Sequence, residues 1–387
     1  MWAGREAAEF ALGIDALRLA PGDVIALTVG ERRRLFEIGD LIDTELRQVK
    51  ARSIDPEVFS VPLLAPRLKV PAIPAALGPV QVTVLDLPAL DSSAPVVLTR
   101  LAITANPWPG SVAVWKSSDG LSFEIAAVAA APCVIGEALD ALPAGPTARW
   151  DRASSMRVKL YGGALASISD ARVLEGGNAA AVRNADGDWE IFQFANAELV
   201  DGNTYQLSRL LRGQAGSDNA MAHPLPAGAP FIVLGAHMIP IALGLDALSR
   251  PMQLRIVASG RNHDDPAAVA LTVTSGDTAL LPLSPVHVAA VRASDGIHIS
   301  WIRRTRIDGD GWGVEVPMGE ESEAYALEIF SGGSVVRTIA CSTPGAIYAN
   351  ADELADFGAA QTSLHVRVAQ LSTTVGAGHA AEVTLAV

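Results

Sequence analysis

Short apolar–polar alternations of period two recur along the whole chain, separated by glycine and proline. The runs PVQVTVLDLPAL (79–90), GSVAVWKSSDGLSFEIAAV (110–128), RVKLYGGALASI (157–168) and LHVRVAQLS (364–372) place Val, Ile, Leu and Thr on alternating positions. Successive side chains of a strand point to opposite faces, so each run can bury one face and wet the other. Proline (24) and glycine (34) are spread through the length rather than clustered, which puts turn signals between the runs. The pattern predicts an all-β, multidomain protein of small barrel and sandwich units. Helical periodicity is weak, with a turn or two expected near Gly4–Leu12 and around Leu354.

The punctuation divides the chain. Residues 1–62 read as a meander of a small barrel, turning at Pro21–Gly22 before the strand-like DVIAL. Residues 63–78, LLAPRLKVPAIPAALG, read as an extended, proline-punctuated connector. Residues 79–280 are β-rich and suggest two packed units with a seam near Gly176–Gly177, and 284–387 form a final module. At 387 residues the chain is too long for one ordinary core.

Composition narrows the function classes. The chain is half hydrophobic, yet no apolar run approaches the roughly 18 to 20 residues of a membrane helix, so a soluble protein is expected. The N-terminus lacks a basic region followed by an apolar core, which argues against a secretory signal. It enters a folded pattern at once, as the C-terminal part or a split version of a longer protein would. Net charge is −13 with no concentrated basic face, which sets nucleic acid aside as a partner. Cys133 and Cys341 lie far apart without metal-ligand spacing and read as small buried side chains.

Candidate chemistry is sparse. Asp308-x-Asp310-Gly311 starts like a calcium loop, but the remaining ligand spacing does not follow, and Asp–Gly turn chemistry explains it better. His263–Asp264–Asp265, with His223 and His237 elsewhere, lacks a zinc spacing and reads as an exposed turn into Pro266. Ser117–Ser118–Asp119–Gly120 with Phe123 is similar to one copy of the aspartate-box hairpin, itself a structural turn. Ser154–Ser155 has no nucleophile elbow, and Gly162–Gly163 and Gly176–Gly177 form no phosphate loop. The expectation is no enzyme, no cofactor and no metal. Among the aromatics, Trp108 in NPWPG is the least strand-like and the first candidate for an exposed or glycan-contacting ring, and Trp312 comes second.

The last module resembles a fibronectin type III sandwich. Trp301 falls where such modules bury a tryptophan on the second strand, Tyr325 falls on the third, and VRVAQLSTTVGAG matches the penultimate strand and following glycine turn. Leu364–His365 stands where a corner tyrosine would be expected. Residues 306–321 form an elaborated loop between the second and third strands.

The segment YQLSRLLRGQAG (205–216) sets Arg209 and Arg212 around the apolar pair Leu210–Leu211 and ends in Gly213 and Gly216, spaced for a turn. These four are the candidate structural and assembly residues. An arginine fork in a partly buried place fixes a turn by bonding carbonyls or pairing with acids. In order along the chain stand GPVQVTVLDLPAL, ANPWPGSVAVWKSSDGLSFE, ARWDRASSMRVKL, WEIFQFANAELV, the LSRLLRGQAG block and SWIRRTRIDGDGW. This series resembles the C-terminal half of the large tail-tip hub, or host-specificity, proteins of gene transfer agents and siphophage-like tails. Ser217 stands where many relatives have threonine.

The resemblance implies a virion protein made in the bacterial cytoplasm and placed at the distal tail tip. Three copies would surround the tail axis, contacting neighbouring tail or baseplate proteins and a host envelope glycan or receptor. Residues 1–62 would then end a hub β-barrel domain. Longer relatives carry a glycosidase-like domain upstream, to which nothing here corresponds. The competing expectation is a carbohydrate-binding or carbohydrate-active surface protein, resting on the aromatics and the terminal module.

Overall fold

Alternating residues turn into paired strands throughout the computed structural model, which describes residues 6–56, 79–90, 99–241, 245–307, 309 and 316–387. The connector expected at 63–78, together with Asp308, Asp310 and Trp312, lies outside the described residues. The chain divides into two compact units, Met1–Ile73 and Pro74–Val387.

In the first unit, β1 (Ala7–Leu12), β2 (Val24–Val29), β3 (Arg32–Asp43) and β4 (Arg47–Ser53) form an antiparallel sheet in the order β1-β4-β3-β2. Phe36, Ile38, Val49 and Ala51 are buried together, with Phe10, Leu12, Ile25 and Leu27 packed against them. Gly22 makes the turn before β2 at a φ of +96°, and its amide bonds the Ile38 carbonyl at 2.8 Å. The helical turn expected over Gly4–Leu12 is instead β1 from Ala7 on: Ala8, Phe10 and Leu12 alternate inward, and the strand pairs along β4. Over the described residues this sheet is open, with β1 and β2 at its edges, where the sequence suggested a barrel meander.

The second unit begins with half of a sandwich: β5 (Gln81–Leu85), β6 (Thr99–Thr104), β7 (Val112–Ser117) and β8 (Glu124–Ala129). The chain then leaves to build a closed barrel from β9 (Ile135–Ala138), β10 (Trp150–Leu160), β11 (Ala179–Arg183), β12 (Trp189–Asp201), β13 (Thr204–Leu211) and β14 (Pro230–Val233). The barrel closes in the order β10-β13-β12-β11-β14-β9 and is filled by Met156, Val158, Phe192, Phe194, Leu207, Leu210 and Phe231. The short helix α1 (Asp170–Leu174) interrupts it, opened by Ser169, whose side chain accepts from the Arg172 amide.

After the barrel the chain returns to complete the sandwich with β15 (Ile239–Ile241), β16 (Pro251–Ala258) and β17 (Val269–Thr274). Its sheets, β15-β6-β5 and β17-β16-β7-β8, bury Leu101, Ile103, Val114, Ile241, Leu254 and Ile256. Gly176–Gly177, where a seam was expected, lies between α1 and β11 inside the barrel. The two units of 79–280 are nested rather than consecutive, because β7 pairs with β16 across the inserted barrel. Leu85, Leu87 and Ala102 of the sandwich pack against Cys133, Ala181, Trp189 and Ile232 of the barrel.

The last module is a two-sheet sandwich made of β18 (Val286–Arg292), β19 (Gly296–Ile302), β20 (Tyr325–Ser331), β21 (Ser334–Cys341), β22 (Gly345–Ala349), β23 (Ser363–Ser372) and β24 (Gly376–Ala386). Three strands, β18-β19-β22, face four, β21-β20-β23-β24, in a fibronectin type III-like arrangement. Trp301 on β19 and Tyr325 on β20 meet edge to face, with ring centroids 5.2 Å apart. Leu364 takes a core position at the expected corner. The buried tyrosine of that end comes instead from β22: Tyr348, whose hydroxyl donates to Asp356 Oδ2 at 2.8 Å. Asp356 lies on α2 (Asn350–Phe357), the helix expected around Leu354.

Candidate functional site

The strongest concentration of charge inside the protein lies where β13 leaves the barrel wall. Leu207 and Leu210 of β13 point into the core, and Arg212 follows directly, only 1% exposed. A guanidinium cannot shed its charge, so burial demands acceptors. Glu190 on β12, itself fully buried, supplies a bidentate pair: Arg212 Nε donates to Oε1 and Nη2 donates to Oε2 at 2.7 Å. Nη1 donates to the Pro143 carbonyl at 3.1 Å and stands 3.7 Å from Asp151 Oδ2 on β10. One side chain thereby joins three barrel elements.

Asp151 sits at a bulge of β10, where the register against β13 shifts between Asp151 and Ser155. Its Oδ1 accepts from the amides of Ala153 and Ser154. Burial alone would raise its pKa, but those amides, the Ser154 side chain and Arg212 together hold it below the ordinary carboxylate value. Gly145 lets the loop approach: a Cβ there would stand 2.8 Å from Asp151 Oδ2 and 2.9 Å from Arg212 Nη1.

Arg209 works at the rim. It adopts a φ of +58° opposite the β10 bulge, which swings its guanidinium over the Trp150 ring, 5.2 Å from the centroid. Its Nη2 donates to Asp170 at the start of α1. Gln193 of β12 finishes the job by donating to the Val173 and Gly177 carbonyls at 2.6 and 2.9 Å, which holds the other end of α1.

The two glycines turn the chain as their spacing suggested. Gly213 and Gly216 have φ of +61° and +80°, with Ala215 also left-handed at +53°. Gly216 has a second reason to lack a side chain, since a Cβ would meet Leu283 Cδ2 at 2.2 Å. Ser217, buried, donates to the Gln214 carbonyl at 2.8 Å and accepts from the Ile191 amide at 2.8 Å. A hydroxyl is what this position uses. Asp218 then accepts two bonds from Arg304 of the last module at 2.8 and 2.9 Å.

The remaining candidates fall into structural roles. Trp108 is half-buried: its ring packs on the sandwich core and its Nε1 is buried. The aspartate-box turn is sealed by Asp119 Oδ1, which accepts from Ser117 Oγ and the amides of Leu121 and Ser122. The Ser122 and Leu121 amides, then Ser117, bring the Asp119 pKa down to about 2. His263 stacks on Phe123 at 4.8 Å and abuts Trp115. Cys133 is buried, Cys341 is half-buried, and both are free. Among the described residues no group of three or more His, Cys, Asp or Glu could hold a metal ion, and no helix is long and apolar enough to cross a membrane.

Sequence reasoning picked out the arginines but missed their partners, Glu190, Asp151 and Asp170. A signal was present for the first. Glu190 stands in WEIFQF, a charge in an otherwise apolar strand, and such a charge needs a buried partner. Nothing local marked Asp218 or Arg304, which meet across 86 residues.

Residues 133–232 match the family described as "Rcc01698-like, C-terminal", a span that brackets the barrel from Cys133 to Ile232. Residues 1–41 match the family described as "Putative phage tail protein", covering β1, β2 and most of β3. The second match supports a structural role in a phage tail, with assembly among other tail proteins. No curated protein matches the chain. Among solved structures, the rat CD45 extracellular region, domains d3-d4, is similar at 18% identity and a TM-score of 0.21, over 31% of this chain and 56% of that one.

Proposed function

We infer that the protein is a structural, non-enzymatic component of a phage-like tail tip, a baseplate hub or host-specificity protein. In this reading three copies surround the tail axis at the distal end, and outward modules reach toward the host envelope. The observation that carries it is the barrel, whose one strongly charged centre is spent on architecture. Arg212 and Glu190 have fully buried side chains, so neither can meet a substrate, and both bind elements of the same chain. The tail-protein match at residues 1–41 points the same way.

Electron microscopy of the purified oligomer tests the proposal. Particle classes with three-fold symmetry about an axial opening are expected. A monodisperse monomer at micromolar concentration, unchanged by mixing with the neighbouring tail proteins, would overturn it.

A further inference from the structure

Three modules of the second unit meet around Asp86. This carboxyl lies just past β5 of the first sandwich, and its Oδ2 accepts from Thr278 Oγ1 at 2.7 Å. Its Oδ1 is buried without a hydrogen-bond partner among the described residues. Thr278 belongs to the segment 275–285 that leads from β17 into the last module. The fit is tight, since a Cβ on Gly276 would stand 1.8 Å from Asp86 Oδ2. The same segment grips the last module: the His379 amide of β24 donates to the Pro282 carbonyl at 3.0 Å, and Gly378 lies against Pro282.

A cavity of about 280 Å³ at this junction is lined by Asp86, by Asp188 of the β11–β12 turn, by Asp277 of the connecting segment and by His379. None of the described lining residues is lysine or arginine. The nearby cations are already engaged. Arg304 is forked onto Asp218, and Arg183 donates to the Gly187 carbonyl beside the Trp189 ring. Carboxylates from the sandwich, the barrel and the connecting segment therefore line one cavity, with no lysine or arginine among the described lining residues.

We propose that this junction is a proton-responsive latch between the central block and the last sandwich. It is closed while Asp86 carries a proton and loosens when Asp86 ionises against Asp277 and Asp188. A protonated Asp86 is a neutral partner for Thr278 and adds no charge to the cluster. An ionised one brings an unbonded anionic oxygen into the space shared with two other acids.

The sign follows from linkage. Burial, aided by Asp277 and Asp188 and opposed by the Thr278 hydrogen bonds, pushes the Asp86 pKa up to about 6 from an ordinary 3.8. The docked state thus keeps a proton that the open state releases. Its stabilisation is full below the open-state value and fades as pH rises through about 6. His379 acts the other way. Burial lowers its pKa, against the pull of Asp218, Asp188 and Asp277, so charging it favours the open state as pH falls below 6.5. The two groups oppose each other, and the net effect is assigned to Asp86, so acidification closes the latch.

Hydrogen exchange of the full chain between pH 5 and 8, corrected for intrinsic rates, reads the latch at the amides of 276–283 and at His379. Protection is expected to fall by up to about fourfold from pH 5.5 to 7.5, the most that a group titrating near 6 when docked can give over that window. Asp86→Asn removes the step and keeps protection high at pH 7.5. Thr278→Val, which deletes a bond that lowers the Asp86 pKa, moves the midpoint to higher pH, and His379→Gln steepens the step. A flat wild-type profile overturns the latch, as does a step that survives Asp86→Asn. If Asp86→Asn does not fold, an unmoved midpoint in Thr278→Val is equally decisive against it.

Discussion

Arg212 sits where a charge is least tolerable and holds three parts of the barrel together there. Two charges taken out of water repay their desolvation only with near-ideal geometry, which the bidentate Glu190 pair and the Pro143 carbonyl provide. Removing one partner strands the other. Arg212→Ala should therefore cost about 3 to 5 kcal/mol in chemical denaturation, a loss of fold rather than of any turnover. Replacing both Arg212 and Glu190 by methionine should cost less than Arg212→Ala alone, because no buried carboxylate is left at position 190. A double variant no more stable than Arg212→Ala would contradict this. The arginine was visible in the sequence because it flanks an obviously buried leucine pair. Its role in one chain rather than between chains was not, since that depended on Glu190 lying across the barrel wall.

At the level of elements, close backbone approach decides whether the barrel shuts. Gly136 on β9 lies against β10, and a Cβ there would stand 2.3 Å from the Lys159 carbonyl oxygen. Gly136→Ala should cost about 1 to 3 kcal/mol by pushing β9 off β10, read as a lower thermal midpoint. In the last sandwich, Trp301 and Tyr325 fill the space between the sheets. Trp301→Ala should cost that module about 3 to 5 kcal/mol while leaving barrel amides protected, measured by hydrogen exchange. Strands such as β10, β19 and β23 were legible because one face of each is buried, which writes a period of two into the sequence. The helix α1 was not, since five residues are too few to display a helical period. In β1 the alternation Ala8, Phe10, Leu12 was present but was outweighed by helix-favouring alanine and glutamate, until pairing with β4 decided the matter.

At the scale of the whole molecule, the second unit is a sandwich interrupted by a barrel and followed by another sandwich. The nesting was hidden from sequence because it rests on pairing between residues 112–117 and 253–258, and a strand carries no local mark of so distant a neighbour. The barrel carries the family match, while both sandwiches contact it or its connecting segments. Its buried charge holds elements of the barrel together, and a half-buried ion pair, Arg304 on Asp218, ties the last sandwich to it. The most direct test is to locate the chain in particles released by the producing cell, by gold labelling a C-terminal tag under the electron microscope. Label clustered at the distal tail end is the predicted result. Purified, tailed particles that carry no label, from cells in which the tagged chain is expressed and folded, would contradict it.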